Sequence, residues 1–306
     1  MPKRAVVFAY HDVGVRCLQV LLRHQVDVAL VVTHEDNPEE NIWFDSVAAL
    51  CAEHGIECIA PVEVTSTGLL DRLETIRPDL LFSFYYRHML PPSILELARV
   101  GAFNMHGSLL PKYRGRAPVN WAVLHGETVT GATLHEMVVK PDAGAIVAQT
   151  SVTILPDDTA HDVFGKVVIA AEQTLAQVLP AMLNGHIPRQ INDLAQGSYF
   201  SGRTAADGCI DWTQPAQVVY NLVRAVAPPY PGAWTTINDH RFVVVEARLL
   251  PDKISNLPLG LTQIEGKILG ICGDAGVLDI RRLHSDDNLV TASTLQAICA
   301  TTREAT

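Results

Sequence analysis

The chain has 306 residues, 48% hydrophobic and 18% charged, which suits about two domains with real cores and is too apolar for disorder. Its formal net charge of −10 argues against a nucleic-acid partner, which a basic face would mark. Six cysteines (Cys17, Cys51, Cys58, Cys209, Cys272 and Cys299) form no CxxC, and no histidine pair has zinc-finger spacing, so buried reduced thiols are expected and a metal site or disulfide framework is not.

The first apolar run, "RAVVFAY" (4–10), is too short and too interrupted for a signal peptide or membrane span. A soluble, cytoplasmic protein is expected. Cys17, Leu18, Leu21 and Leu22 then share one helix face. "VDVALVVT" (26–33) predicts a buried strand. Phe44, Val47, Ala48 and Cys51 predict a second helix at i, i+3, i+4, i+7. "IECIA" (56–60), a helix over 66–76 and "DLLFSF" (79–84) continue the alternation. Runs apolar on both faces, alternating with helices, predict a parallel sheet covered on both sides. "GAFNM" (101–105) is the next strand. "ATLHEMVV" (132–139) and "AIVAQTSVTI" (145–154) follow without a long helix between them, which predicts antiparallel pairing.

Thr159 and Asp162 have capping-box spacing, and an apolar face from Phe164 to Met182 predicts a long helix. Residues 186–207 are polar and suit a linker between a catalytic domain (1–185) and a second domain (208–306). The second domain shows a helix at 215–225, then "WTTI", "RFVVVEARLL", "GKILGICG" and "GVLDIRRL", the pattern of a small β-barrel or sandwich.

Open parallel sheets bind ligands at the carboxyl ends of their strands. There "FNMHGSLLPKYRGR" (103–116) presents Asn104 and His106, followed by Lys112, Arg114 and Arg116. "KPDAGA" adds Asp142 in a turn. An amide donor, an imidazole and a carboxylate suit attack on a carbonyl, with donors for the oxyanion and a base for the proton. Ser108 has no Gly-x-Ser-x-Gly frame, so direct transfer to an external amine fits better than an acyl-enzyme. Each residue also has an ordinary reading: Asn104 as a cap, His106 as a loop histidine, Asp142 as a turn residue. Spacing alone leaves both readings open.

The frame around these residues resembles the 10-formyltetrahydrofolate-dependent formyltransferases. "FNMHGSLLPKYRGRAPVNWAVLHGETVTGATLHEMVVKPDAGAIVAQ" is similar to that family's signature throughout. The resemblance implies an α/β architecture: a Rossmann-like, mostly parallel sheet domain followed by a small open β-barrel resembling an OB fold. It implies 10-formyltetrahydrofolate as cosubstrate and no metal. It gives Asn104 and His106 the oxyanion, and Asp142 the positioning of His106 and a water and help in removing the amine's proton. Tyr85, Tyr86, Arg87, His88 and Met89 would line the pterin pocket. His11 and Asp12 would touch a ligand or cap the helix after them.

"GRAP" (115–118), "FAYHDVG" (8–14), "FSFYYRHML" (82–90) and "VRAVAPPYPGAW" (223–234) resemble the branch that formylates UDP-4-amino-4-deoxy-L-arabinose, the transferase half of bifunctional polymyxin-resistance enzymes. Members that act on methionyl-tRNA usually carry Gly-Ala-Ala-Pro at the first of these segments. The branch implies a UDP-linked amino sugar as partner. Arg114 and Arg116 would serve its diphosphate, Asn120 its uracil, and Arg224 the nucleotide from the second domain. The alternatives are another nucleotide-linked amino sugar, a tRNA substrate or a non-catalytic sensor. Residues 203–306 carry nine Lys+Arg and eleven Asp+Glu, a poor grip for an acceptor stem. A sensor has no need of all three catalytic groups. A homo-oligomer is compatible with the sequence.

Overall fold

The computed structural model describes residues 3–286 and 288–300. Met1, Pro2, Asp287 and residues 301–306, which close the expected 208–306 domain, lie outside them. The chain divides into two compact units that interleave along the sequence. Unit 1 comprises residues 1–118, 129–153 and 164–201; unit 2 comprises 119–128, 154–163 and 202–306.

Unit 1 alternates strand and helix: β1 (Arg4–Ala9), α1 (His11–Arg23), β2 (Asp27–Val32), α2 (Val47–His54), β3 (Cys58–Ile59), α3 (Thr67–Ile76), β4 (Leu80–Phe84), α4 (Pro92–Leu95) and β5 (Gly101–His106). There follow β6 (Arg114–Gly115), α5 (Pro118–Leu124), β7 (Val129–Glu136), β8 (Ile146–Thr153), α6 (Ala160–Leu183) and β9 (Tyr199–Phe200), of which α5 beyond Pro118 and the first four residues of α6 count with unit 2. The main sheet runs β3-β2-β1-β4-β5-β7-β8. Its pairs are parallel up to β4–β5 and antiparallel for β5–β7 and β7–β8. This is the Rossmann-like architecture expected.

The strands are apolar because both faces are covered. On one face Val6, Phe8, Leu30, Val32 and Leu81 pack with Leu69 and Leu73 of α3 and Ile94 of α4. Elsewhere Glu172 of α6 takes both Arg16 and Arg23 of α1. The strand order reverses between β1 and β4, the switch point at which open α/β sheets leave a crevice. Tyr10 N–H donating to the Phe84 carbonyl closes the ladder there.

Phe44 corrects one expectation. Helix α2 starts only at Val47, with Ser46 Oγ accepting from Ala49 N–H. Phe44 precedes it and stacks on the His11 ring at 3.8 Å. The i, i+3 spacing mimicked a helix face, but aromatic packing holds the residue in a loop. Within 186–207, Tyr199–Phe200 pairs in parallel with β6.

Unit 2 contains α7 (Ala216–Ala225), β10 (Ala233–Ile237), β11 (His240–Lys253), β12 (Gly260–Ile264), β13 (Lys267–Ile271), β14 (Gly276–Ser285), β15 (Asn288–Leu289) and α8 (Ala292–Ala300). The antiparallel order β10-β11-β14-β13-β12, with β15 on β14, makes an open half-barrel. Val219, Tyr220 and Val223 of α7 pack on Phe242, Val244, Leu278 and Ile280. Strand β12 and helix α8 are additions to the predicted pattern, since "GLTQI" and "ASTLQAICA" carry weak periodicity.

The capping box at the start of α6 is present. Thr159 N–H donates to Asp162 Oδ2 at 2.9 Å, and Asp162 N–H donates to Thr159 Oγ1 at 3.2 Å. Thr159→Ala should lower stability by about 1 kcal/mol, read as a lower urea midpoint, while Thr159→Ser should stay near the parent.

Candidate active site

Strand β5 delivers two side chains to one face of the sheet at its carboxyl end, because residues i and i+2 of a strand point the same way. These are Asn104 and His106. Their partners across the β5–β7 ladder are His135 and Thr133, and directly opposed residues place their side chains together. Asn104 Nδ2 therefore lies 3.1 Å from His135 Nε2. The β7–β8 connection returns Asp142 to the same place. Its carboxylate Oδ1 is 3.6 Å from His106 Nδ1 and 3.5 Å from His135 Nε2. Oδ2 accepts the Gly115 N–H at 2.8 Å.

The cluster is largely buried, with Asn104 and Asp142 partly accessible. His106 is 7% exposed and His135 2%, and the Asp142 side chain is 12% exposed. Burial is the largest influence on His106 and holds its pKa below the ordinary histidine value, against the raising pull of Asp142 and of the Tyr113 carbonyl. For Asp142, burial pushes upward, but His106, His135 and the Gly115 N–H together outweigh it and hold the carboxyl below the usual carboxylate range. Near neutral pH this leaves an ionised carboxylate beside a neutral imidazole.

One expected role changes. His106 Nε2 donates to the Tyr113 carbonyl at 2.8 Å, because a carbonyl can only accept. The same nitrogen is not left to donate to a substrate oxyanion. In the neutral ring Nδ1 then carries the lone pair, facing Asp142. His106 Nδ1 and the Asp142 carboxylate thus face each other 3.6 Å apart.

The surrounding loop is braced from beneath. Thr133 Oγ1 donates to the Ser108 carbonyl and accepts from Leu110 N–H, and Gln149 Nε2 donates to the Leu110 carbonyl. Ser108 Oγ donates to the Lys112 carbonyl at 2.6 Å and is fully buried, in keeping with no nucleophilic part. Gly115 has φ +97°, and a Cβ there would run into the Phe200 carbonyl, so the N–H that holds Asp142 depends on glycine.

Tyr85 lies against the loop: a Cβ at Gly107 would meet its hydroxyl. His88 and Met89 are exposed. Tyr86 and Arg87 depart from the pterin-pocket expectation. Tyr86 is buried, packs edge-on to Phe8 at 5.2 Å and stacks on His34 at 4.1 Å. Burial pushes its phenol up to about 12. The Arg87 guanidinium forms two 2.8 Å bonds to Glu40, and its backbone N–H donates to His34.

Asn120 and Arg224 are also corrected. Within unit 2, Asn120 Nδ2 donates to the Ala225 carbonyl. Arg224, 6% exposed, gives its N–H groups to Asn221 Oδ1 and to the Asp158 and Val123 carbonyls. Its donors are committed to the fold. Of the loop cations, Arg114 is buried with Nε lacking a partner, and Arg116 is exposed. His11 sits among Trp43, Phe44 and Phe164, and Asp12 accepts the Asp45 N–H.

Two residues join the site without having been singled out in the sequence. His135 lay inside the family-like "TLHEM" segment, where its alternation with Thr133 marks it as facing the sheet side of Asn104. Asn192 donates to the Asp142 and Gly144 carbonyls at 3.0 and 3.1 Å, and nothing in its local sequence signals this. Among the described residues no group of three or more His, Cys, Asp or Glu could hold a metal ion, and no helix is long and apolar enough to cross a membrane.

A Rossmann-like sheet with an Asn-His-Asp cluster at the carboxyl end of β5, followed by a half-barrel, suits a two-unit enzyme of the group-transfer kind. Residues 9–179 match the family model described as Formyl transferase, and residues 203–295 match Formyl transferase, C-terminal domain. The chain belongs to the formyl transferase family. Its fold is similar to that of an N-formyltransferase from Helicobacter canadensis in complex with folinic acid and dTDP-3-aminofucose, at 20% identity, 92% of this chain, 99% of that chain and a TM-score of 0.73. It is also similar to WlaRD, a sugar 3N-formyl transferase in the presence of dTDP and 5-N-formyl-THF (19%, 94%, 100%, TM-score 0.72). A third is a sugar N-formyltransferase from Shewanella sp. (18%, 78%, 94%, TM-score 0.63).

Acidification tests the electrostatics. A carboxyl with a depressed folded pKa contributes stability that is complete above its unfolded value and is lost as pH falls. His106, held neutral by burial, acts in the same direction from a higher pH. Between about pH 5 and pH 3, the range just around the unfolded aspartate value, the wild type should lose more stability than Asp142→Asn. Urea midpoints across that range give the comparison, and parallel curves would count against a depressed Asp142.

Proposed function

We propose that the chain transfers the formyl group of 10-formyltetrahydrofolate to the amino group of a nucleotide-linked amino sugar. The observation that carries this reading is the convergence of Asn104, His106 and Asp142 in one largely buried cluster. The likeness in fold to proteins bound to folinic acid with dTDP-3-aminofucose, and to 5-N-formyl-THF with dTDP, supports the two substrate classes. The amine nitrogen attacks the formyl carbon, a C–N bond forms, and the bond from that carbon to N10 of the folate breaks. The amine's proton passes to the His106–Asp142 pair and from there to N10, so the folate leaves with an N10–H and the pair returns to its starting state. An N–H of Asn104 meets the oxyanion as it develops. A single donor of this kind typically contributes on the order of a hundred- to a thousand-fold in rate.

The finer assignment is UDP-4-amino-4-deoxy-L-arabinose, formylated at its 4-amino group, and with it a place in lipid A modification and polymyxin resistance. It rests on "GRAP" (115–118) and on the segments at 8–14, 82–90 and 223–234. Tyr85, His88 and Met89 are assigned to the folate. The test is mass spectrometry of aminosugar nucleotides incubated with the enzyme and 10-formyltetrahydrofolate. A gain of one formyl group on the UDP-4-amino pentose is expected. Formylation of a dTDP-3-amino sugar alone would replace the finer assignment, and no formylated sugar at all would overturn the reading.

Arg116 is assigned to the diphosphate. It is exposed on the loop whose neighbouring Gly115 holds Asp142, and its own N–H is fixed on the Phe200 carbonyl. A charge-assisted bond to phosphate contributes roughly 1.5–3 kcal/mol. Arg116→Ala should raise the KM for the nucleotide sugar about ten- to a hundred-fold with little change in kcat or in the folate KM. Arg116→Lys should recover part of this, since a point charge lacks the guanidinium fork. A rise in the folate KM alone would move the residue to the other substrate.

A further inference from the structure

His135 has no part in the proton transfer just described, yet it touches both Asn104 and Asp142. Its other nitrogen settles what it can do there. Nδ1 lies 2.8 Å from the Glu136 carbonyl. A carbonyl only accepts, so Nδ1 carries the hydrogen. In the neutral ring Nε2 then holds a lone pair and must be met by a donor. The nearer neighbour is the Asn104 amide at 3.1 Å. The Asp142 oxygen at 3.5 Å is beyond the ordinary range of a hydrogen bond.

This fixes the amide. An asparagine side chain can present either its oxygen or its NH2, and the two ends are nearly the same shape. An Nε2 lone pair rejects the oxygen and accepts one N–H. The second N–H of Asn104 is then aimed by the first, and it makes no other hydrogen bond among the described residues. We propose that His135 is a positioning residue that sets the orientation of the Asn104 amide, so that a hydrogen and not an oxygen faces the reacting formyl group. The proposal rests on the reading of Asn104 as the oxyanion donor. It works through the ladder itself: Asn104 and His135 are register partners of β5 and β7, and Nδ1 is tied to the backbone of the next residue. The amide thus inherits its orientation from rigid sheet.

The consequence is a defined pattern of kinetics. His135→Leu removes the acceptor, keeps the apolar bulk and frees the amide to turn. The variant should lose about ten- to a hundred-fold in kcat, the range for leaving one buried polar group without its partner. The KM for both substrates should stay within about twofold. His135→Gln, which can offer an amide oxygen in the same place, should recover much of the loss. Because the proposed effect of His135 on turnover runs through Asn104, the double variant Asn104→Ala/His135→Leu should be no more than about twofold slower than Asn104→Ala.

The experiment combines this double-mutant cycle with nitrogen-15 NMR of the imidazoles in the full-length protein, with and without Asn104→Ala. The expected spectrum shows His135 protonated at Nδ1 and unprotonated at Nε2, with the Nε2 signal moving when Asn104 is removed. Additive losses in the cycle, an effect on KM alone, near-native turnover of His135→Leu, or an Nε2-protonated ring would each overturn the proposal. The NMR arm needs no substrate. A wild type that formylates no sugar would therefore sink the functional reading while the tautomer of His135 is still decided.

Discussion

A carboxylate buried between two imidazoles is the constraint around which this site is built. Removing an ion from water is costly unless every lone pair is compensated. Asp142 meets part of that requirement with the Gly115 N–H, which donates to Oδ2 at 2.8 Å, while His106 and His135 lie 3.6 and 3.5 Å from Oδ1. Its backbone sits in the left-handed region at φ +49°, where an aspartate is tolerated more readily than a bulky residue. Asn192 holds that conformation by donating to the carbonyls of Asp142 and Gly144. Five stretches of chain meet around one carboxylate: the end of β5, the β6 loop, β7, the β7–β8 turn and the segment at 192. Moving any of them exposes an uncompensated charge, so the electrostatic demand also makes the site rigid.

The two arginines of the loop show how backbone geometry divides a run of like charges. In a regular strand Arg114 and Arg116 would share a face. Gly115 at φ +97° breaks the alternation. Arg114 ends buried, with its guanidinium 5.9 Å from the centre of the Tyr199 ring, while Arg116 stays in solvent. The glycine thus turns one cation into the body of the unit, leaves the other free for an anion, and presents the N–H that Asp142 requires.

The strands of unit 1 were legible because doubly covered strands must be apolar throughout, a signal that survives without knowledge of the neighbours. Asn104 and His106 were legible as residues two apart at a strand end. Asp142 stood in a Pro-Asp-Ala-Gly turn that announced itself. What escaped depends on pairing across the chain. His135 becomes functional only through its register with Asn104. Asn192 becomes functional only because its segment folds against the Asp142 turn. Phe44 had helical spacing but found a better partner in His11. Arg224 and Tyr86 misled in a common way: a long polar-tipped side chain looks available until the acceptors or aromatic walls that bury it are known. Arg224 finds its acceptors up to 101 positions away in the sequence.

That last pairing has an evolutionary consequence. Unit 2 is not a continuous stretch of chain. It includes 119–128 and 154–163 as well as everything from 202 onward, and the buried Arg224 guanidinium closes on the carbonyls of Val123 and Asp158 from those two early segments. A gene fusion that joined the half-barrel to a new partner at residue 202 would carry the arginine without its acceptors and strand a charge in an apolar interior. The boundary that recombination sees in the sequence is therefore not one at which the protein can be cut.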